Sequence, residues 1–414
     1  MDKTFFKDVA AKLEVSYEKF FIDLSTTKSY SAICRSDSFY FVFKQIILSL
    51  IHGKEVILLD SDLSDEEVSK LLGKNHLEDY PIGDIEEIEI IEFSDIQKYI
   101  NVNKETWRIT LFTSGTTGLP KKISHTFNSI TRSVKTGNAR VNDIWGFAYN
   151  PTHMAGLQVF FQAFLNHNTI IRLFGLGRSM ITEQINDCSI TNLSATPTFY
   201  RMLLPVDHIC SSVRGMTTGG EKFDSKTLNI LQSMFPNAKI RNVYASTEAG
   251  SLFSSVGDLF TLSSDFANLI RIDNNEIFLH KSLLGESAGI KLINDWYATG
   301  DLIEIYSQDP FTFKFTSRKN EMINTGGYKV NPQEVEESIR SFHGVKDVYV
   351  FGKKNSLLGN VVCCEIVKSD IFMDEKEIRD FLKDKLQEYK IPRFIKFVEK
   401  LSVTRTGKLS RRVN

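Results

Sequence analysis

The chain has 414 residues, 42% of them hydrophobic and 24% charged, with a formal net charge of −1. That length suits one large and one small domain of an ordinary globular protein. The near-zero charge, with no basic run interleaved with aromatics, argues against nucleic acid or an anionic membrane as a partner. Five scattered cysteines (Cys34, Cys188, Cys210, Cys363, Cys364) form no CxxC pair and no zinc spacing, which points to reduced thiols and a cytoplasmic location. The eight histidines form no clustered metal pattern. Met1 to Lys7 has no long apolar core, so no export leader is expected. The longest apolar stretch, Phe39 to Ile51, contains Lys44 and Gln45 and is too short to span a bilayer.

Residues 1–38 are weakly patterned. From Phe39 to His52 apolar residues recur at helical spacing, and Gly53 stops the helix. Glu55 to Asp60 then reads as a buried strand. The same helix-then-strand unit recurs at Leu157–Leu165 with Thr169–Leu173, and at Leu228–Met234 with Lys239–Tyr244. Such alternation predicts an α/β domain with mostly parallel sheets. Residues 62–80 read as a charged surface helix, and 84–96 as an acidic, partly strand-like segment.

An apolar run ending at Phe112 predicts a buried strand. The next residues, Thr113-Ser114-Gly115-Thr116-Thr117-Gly118-Leu119-Pro120-Lys121, make a loop of hydroxyls and glycines. Backbone N–H groups and hydroxyls at a strand end suit phosphate oxygens, and Lys121 adds a cation. The spacing is not that of a Walker A loop. Its plain alternative is a surface turn.

Further on, Thr217-Thr218-Gly219-Gly220-Glu221 and Asn242-Val243-Tyr244-Ala245-Ser246-Thr247-Glu248-Ala249-Gly250 each sit at a strand end, where open α/β sheets place ligands. Gly219 and Gly220 let a flat ring approach the backbone, and Tyr244 can stack on it. Thr247 can bond a phosphate oxygen, and Glu248 can hold a hard cation such as Mg2+. The alternative is a pair of tight turns. In Tyr297-Ala298-Thr299-Gly300-Asp301-Leu302, Asp301 falls past a turn and before a strand, placed to accept two ribose hydroxyls or simply to form the turn. Composition then changes. Arg318-Lys319-Asn320 has the character of a linker. Beyond it a helix at 332–342, strands at 346–351 and 361–367 and a helix at 374–387 make a small α+β module, ending in a basic tail with Thr406-Gly407-Lys408.

Taken in order, these stretches resemble the adenylate-forming (ANL) superfamily: acyl- and aryl-CoA synthetases, adenylation domains of peptide synthetases, and firefly luciferase. The resemblance covers essentially the whole chain. It implies an adenylation domain at 1–318 and a mobile C-terminal domain at 319–414. It further implies that Thr113, Ser114, Gly115, Thr116, Thr117, Gly118 and Lys121 hold the terminal phosphates of ATP. Gly219, Gly220, Glu221, Asn242 and Tyr244 would frame adenine, and Asp301 and Arg318 the ribose. Thr247 would contact the α-phosphate, Glu248 would ligate Mg2+, and Lys408 would be the mobile catalytic lysine. Asn320 takes the hinge position, and Gly326, Gly327 and Tyr328 would line a thiol tunnel. Pro151-Thr152-His153-Met154-Ala155-Gly156-Leu157 resembles the segment whose histidine lines the carboxylate site.

The implied activity is adenylation of a small carboxylic acid by MgATP, followed by transfer to a pantetheine thiol. Coenzyme A is the favoured acceptor and phosphopantetheine on an acyl carrier protein the alternative. Between His153 and Gln162 there is no Asp to pair with an ammonium, which argues against an amino-acid substrate. Met154, Phe160, Phe161 and Phe199 are candidates for an apolar pocket or plain core. Several positions depart from the family pattern. The segment from Asp60 to Leu111 is short, Ala245 and Ser317 replace glycines, and Asn324 stands where many aryl-CoA ligases have Lys. A nucleotide-binding relative without turnover is the other class of reading, and the intact Glu248, Asp301, Arg318 and Lys408 favour the enzyme.

Overall fold

A computed structural model describes residues 3–73, 82–113, 121–219, 225–325, 328–355, 359–369 and 373–401. Two compact units divide the chain: residues 3–219, 227–257 and 279–297 form the first, and 258–278 with 298–401 the second. The expected division at 318/319 falls inside the second unit.

Besides a two-stranded sheet that pairs Ser29–Tyr30 with Gly83–Asp84, the first unit carries, among the described residues, two larger sheets. The larger has the order Gly250–Ser255, Lys239–Ser246, Gly215–Gly219, Asn192–Ala195, Ile144–Phe147, Thr169–Arg172, Thr4–Asp8, Leu13–Ser16. Its inner pairings are all parallel, and only the two edge strands run antiparallel. The smaller has the order Ile33–Arg35, Val56–Leu59, Arg108–Thr113, Lys121–Thr126, parallel except for the last pair. Parallel strands need covering on both faces, and the helices do this. Helix Phe39–Ile51 starts where the Ser38 hydroxyl accepts from Phe41 N at 3.3 Å and ends before Gly53, at φ +62. It buries all but a few of its side chains, and Phe43 stacks on Phe160 of helix Met154–Phe164 with centroids 4.4 Å apart. Phe160 and Phe161 have no exposed surface; they are core, not pocket wall.

The weakly patterned N-terminus is structural after all. Strand Thr4–Asp8 completes the large sheet, and helix Tyr17–Ser25 buries Tyr17, Phe20, Phe21 and Leu24 at i, i+3, i+4 and i+7. The acidic segment expected to be partly strand-like contains a two-residue strand, Gly83–Asp84, and then helix Phe93–Asn103. The reason is local. The Asp95 carboxylate accepts from Glu92 N at 3.1 Å and sets a helix start that leaves Ile91 74% exposed.

Another sheet, of order Phe260–Thr261, Phe311–Arg318, Trp296–Gln308, Glu276–His280, Ile270–Asp273, precedes in sequence the α+β module of the second unit. There, strands Ile323–Thr325, Tyr328–Val330, Val345–Asn355, Gly359–Lys368 and Phe394–Val398 form one sheet. Helices Pro332–Arg340 and Glu375–Lys383 share its core through Val335, Ile339, Ile378 and Leu382. Among the described residues no helix is long and apolar enough to cross a membrane.

Candidate active site

Strands Gly215–Gly219 and Lys239–Ser246 lie parallel, with Gly219 opposite Val243. Their carboxyl ends therefore bring Gly219, Asn242, Tyr244 and the Thr247–Glu248 turn into one neighbourhood. Glycine at 219 is required by the sheet itself, because a Cβ there would lie 2.8 Å from the Val243 carbonyl oxygen. Tyr244 packs on Phe253 with centroids 5.6 Å apart. Ala245, where the resembled pattern has glycine, lies outside the left-handed region, so its methyl costs no backbone strain. The Thr218 hydroxyl, buried one residue before Gly219, has no hydrogen-bond partner among the described residues.

The turn after strand Lys239–Ser246 is held by its carbonyls. Thr247 O accepts from His125 Nε2 at 2.8 Å, Glu248 O from Gly285 N at 2.7 Å, and Ala249 O from Arg132 Nη1 at 3.1 Å. Nothing in the sequence signalled His125, Arg132 or Gly285. His125 is 1% exposed, its Nδ1 lies 3.1 Å from Ser129 Oγ, and burial lowers its pKa to about 4. It is neutral at pH 7. A carboxylate beside a threonine hydroxyl on so fixed a turn is chemically suited to a hard cation carried by phosphate oxygens. Glu248 and Thr247 are the residues that would hold Mg2+ and its phosphate here.

The strands on either side of the expected phosphate loop pair antiparallel. Thr113 ends strand Arg108–Thr113 and is paired with Lys121, the first residue of Lys121–Thr126. Ser114, Gly115, Thr116, Thr117, Gly118, Gly220, Glu221, Gly326, Gly327 and Lys408 lie outside the described residues, as do the side chains of Thr113 and Asn320.

His153 occupies the N-cap of helix Met154–Phe164. Its Nε2 lies 2.8 Å from Asp60 Oδ1, which also accepts from Asn150 Nδ2 at 3.1 Å and from the Thr152 hydroxyl. The imidazole is thus held at the end of strand Val56–Leu59 rather than left as a free turn histidine. Asp60 could be read from the sequence only as a strand end.

Asp301 does not precede a strand; it lies within strand Trp296–Gln308, directly opposite Arg318, and Gly300 before it takes φ +76. The two predicted ribose residues are brought together. Arg318 Nε donates to Asp301 Oδ1 at 2.6 Å and Nη2 to Oδ2 at 3.5 Å, with Asp301 only 7% exposed. Sequence reading missed the buried Glu276. It accepts from Gly300 N at 2.9 Å and from Lys319 Nζ at 3.0 Å, tying the Tyr-x-Thr-Gly-Asp segment to the residue beside Asn320. Asn320 itself falls in a single 3-10 turn, Lys319–Glu321. Tyr328, half exposed, stacks on Tyr389 with centroids 4.3 Å apart.

The family model described as AMP-binding enzyme matches residues 38–268, and one described as AMP-binding enzyme C-terminal domain matches 334–408. The chain is 26% identical to the 2-succinylbenzoate–CoA ligase of Bacillus licheniformis, over 87% of this chain and 84% of that one. It is 25% identical to 4-hydroxybutyrate–CoA ligase 1 of Metallosphaera sedula, over 73% and 61%. Among solved structures it is similar to o-succinylbenzoate CoA synthetase (MenE) from Bacillus subtilis in complex with its acyl-adenylate intermediate. The TM-score is 0.72 at 19% identity, covering 99% of this chain and 94% of that one. ATP-bound MatB from Rhodopseudomonas palustris gives a TM-score of 0.73 at 16% identity, with coverage of 99% and 94%.

Proposed function

Because the chain belongs to the AMP-binding enzyme family, we propose that it is an AMP-forming acid–thiol ligase that activates a non-amino-acid carboxylate and passes the acyl group to coenzyme A. A carboxylate oxygen bonds the α-phosphorus of ATP and pyrophosphate leaves. The thiol sulfur then bonds the acyl carbon, AMP departs and the thiol proton is released. Both first-step reactants are anions, so the work of the protein is to align them and neutralise charge.

Thr113, Ser114, Thr116, Thr117 and Lys121 take the terminal phosphates, with Gly115 and Gly118 giving the loop its backbone freedom. Gly219, Gly220, Glu221, Asn242 and Tyr244 frame the base. Asp301 accepts ribose hydroxyls while Arg318 holds the carboxylate in place. Thr247 meets the α-phosphate and Glu248 takes the cation. Mg2+, when bound, supplies charge neutralisation at the phosphate oxygens. His153, oriented by Asp60, lines the carboxylate site. Lys408 of a mobile domain at 319–414 enters for adenylation. That domain then turns about Asn320 to bring Gly326, Gly327 and Tyr328 to the pantetheine arm.

The observation that supports this most is the Thr247–Glu248 turn, fixed by three separate segments at the carboxyl end of a parallel strand. The test is pyrophosphate release with a panel of aryl and short-chain acids. Release that depends on one acid and on MgATP, with acyl-CoA and AMP appearing once coenzyme A is added, is expected. ATP uptake with no release for any acid would mark a nucleotide-binding relative instead. Adenylate that forms but ignores coenzyme A would direct the acyl group to an acyl carrier protein.

A further inference from the structure

We infer that His125, seconded by Arg132, is a positioning residue for adenylation, one that locks the peptide between Thr247 and Glu248. The inference rests on the phosphate and cation roles proposed for Thr247 and Glu248.

A carbonyl can only accept, so Nε2 of His125 donates to Thr247 O at 2.8 Å. Nδ1 is left as the acceptor facing the Ser129 hydroxyl at 3.1 Å. Both ring nitrogens are engaged and the tautomer is fixed. The space around the ring is filled as well: a Cβ at Gly285 would lie 2.6 Å from His125 Cε1 and 2.8 Å from Nε2. Only glycine fits there, and the same Gly285 donates its N–H to Glu248 O at 2.7 Å. Arg132 closes the far side, donating to Ala249 O at 3.1 Å and to Leu283 O at 3.3 Å. At the front of the turn Ala249 N donates to Ser246 Oγ at 3.2 Å.

The peptide plane after Thr247 cannot rotate without losing the His125 bond. Its rotation would re-aim the Cα–Cβ direction of Glu248. His125 also belongs to strand Lys121–Thr126, which leads directly out of the expected phosphate loop. One buried imidazole therefore joins the strand that carries Lys121 to the turn that carries Thr247 and Glu248.

The test compares His125→Leu, His125→Gln and Arg132→Met in the full chain. MgATP binding is followed by calorimetry, and the Mg2+ dependence of pyrophosphate release is measured alongside thermal midpoints. The side-chain amide of Gln reaches the position of Nε2 and restores a donor to Thr247 O; Leu does not. His125→Leu is expected to weaken MgATP binding and raise the Mg2+ half-saturation about tenfold or more, and His125→Gln to recover to within about threefold. A purely structural histidine would lower the thermal midpoint of both variants and leave the Mg2+ dependence of the folded fraction alone. That result overturns the inference. Should His125→Leu fail to fold, Arg132→Met decides, and an unchanged Mg2+ half-saturation there overturns it too. A wild-type chain that takes up no MgATP removes the functional reading along with the inference. A wild-type chain that binds MgATP, matched by an equally competent His125→Leu, removes the inference alone.

Discussion

At the scale of single residues, an imidazole with both nitrogens engaged and 1% exposure has one comfortable protonation state. His125 is lowered by burial from 6.5 to about 4, so below pH 6.5 the unfolded chain takes up a proton that the folded chain refuses. This fixes the sign. The contribution is complete above pH 6.5 and is lost as pH falls toward 4, at up to about 1.4 kcal/mol per pH unit and on the order of 3 kcal/mol in all. Urea midpoints at pH 7, 6 and 5 check this. The wild type should lose stability on that descent faster than His125→Gln, whose amide does not titrate. The variant keeps only the share due to other groups, such as His52, whose pKa burial also lowers. Parallel slopes in the two proteins would rule out His125 as the source.

At the scale of elements, the turn and helix from Asn150 to Phe164 show how local constraints combine. Asn150 O accepts from His153 N at 3.3 Å, and Asn150 Nδ2 reaches Asp60. Gly156, one turn further on, packs directly against that same carbonyl, and a Cβ there would be driven into it. Gly156→Ala is expected to cost about 1–3 kcal/mol, since neither the carbonyl nor the helix start can retreat without breaking the Asp60 contacts. Chemical denaturation measures this. In the folded fraction the KM for the acid should rise, because His153 moves, while the KM for MgATP stays put. Elements with a long unbroken period were legible in the sequence: helix Phe39–Ile51, strand Val56–Leu59 and, in the C-terminal module, helices Pro332–Arg340 and Glu375–Lys383 with strands Val345–Asn355 and Gly359–Lys368 fall where the pattern puts them, whereas the short strands Ile323–Thr325 and Phe394–Val398 were not read. Two signals were harder to read. Helix Tyr17–Ser25 has the right spacing but only nine residues, set between short strands. Before helix Phe93–Asn103, alternating Ile and Glu imitates a strand until the Glu92–Asp95 capping box begins the helix.

At the scale of the whole molecule, the stretches proposed to carry the chemistry were legible because each is contiguous in the chain. The residues that hold them were not. His125 meets Thr247 from 122 positions away and Asp60 meets His153 from 93, and a lone buried polar residue carries no local pattern. Asp301 was read as a candidate ribose residue at a turn and not as a strand residue, because Gly300 at φ +76 reads as a turn while the strand continues through it. The proposed reaction needs two arrangements of the chain, and Lys408 tells them apart. If Lys408 enters only for adenylation and leaves with the turning domain, Lys408→Ala should slow pyrophosphate release by about two to three orders of magnitude, the usual cost of one lost charge-stabilising donor. Thioester formation from pre-made acyl-adenylate and coenzyme A, where the ammonium has no part, should keep its rate within about threefold. Single-turnover measurements of the two half-reactions decide the matter. Equal loss in both would mean that one fixed arrangement serves both steps, and the Arg318-Lys319-Asn320 segment, with Lys319 bound to Glu276 at 3.0 Å, would then be a strut rather than a hinge.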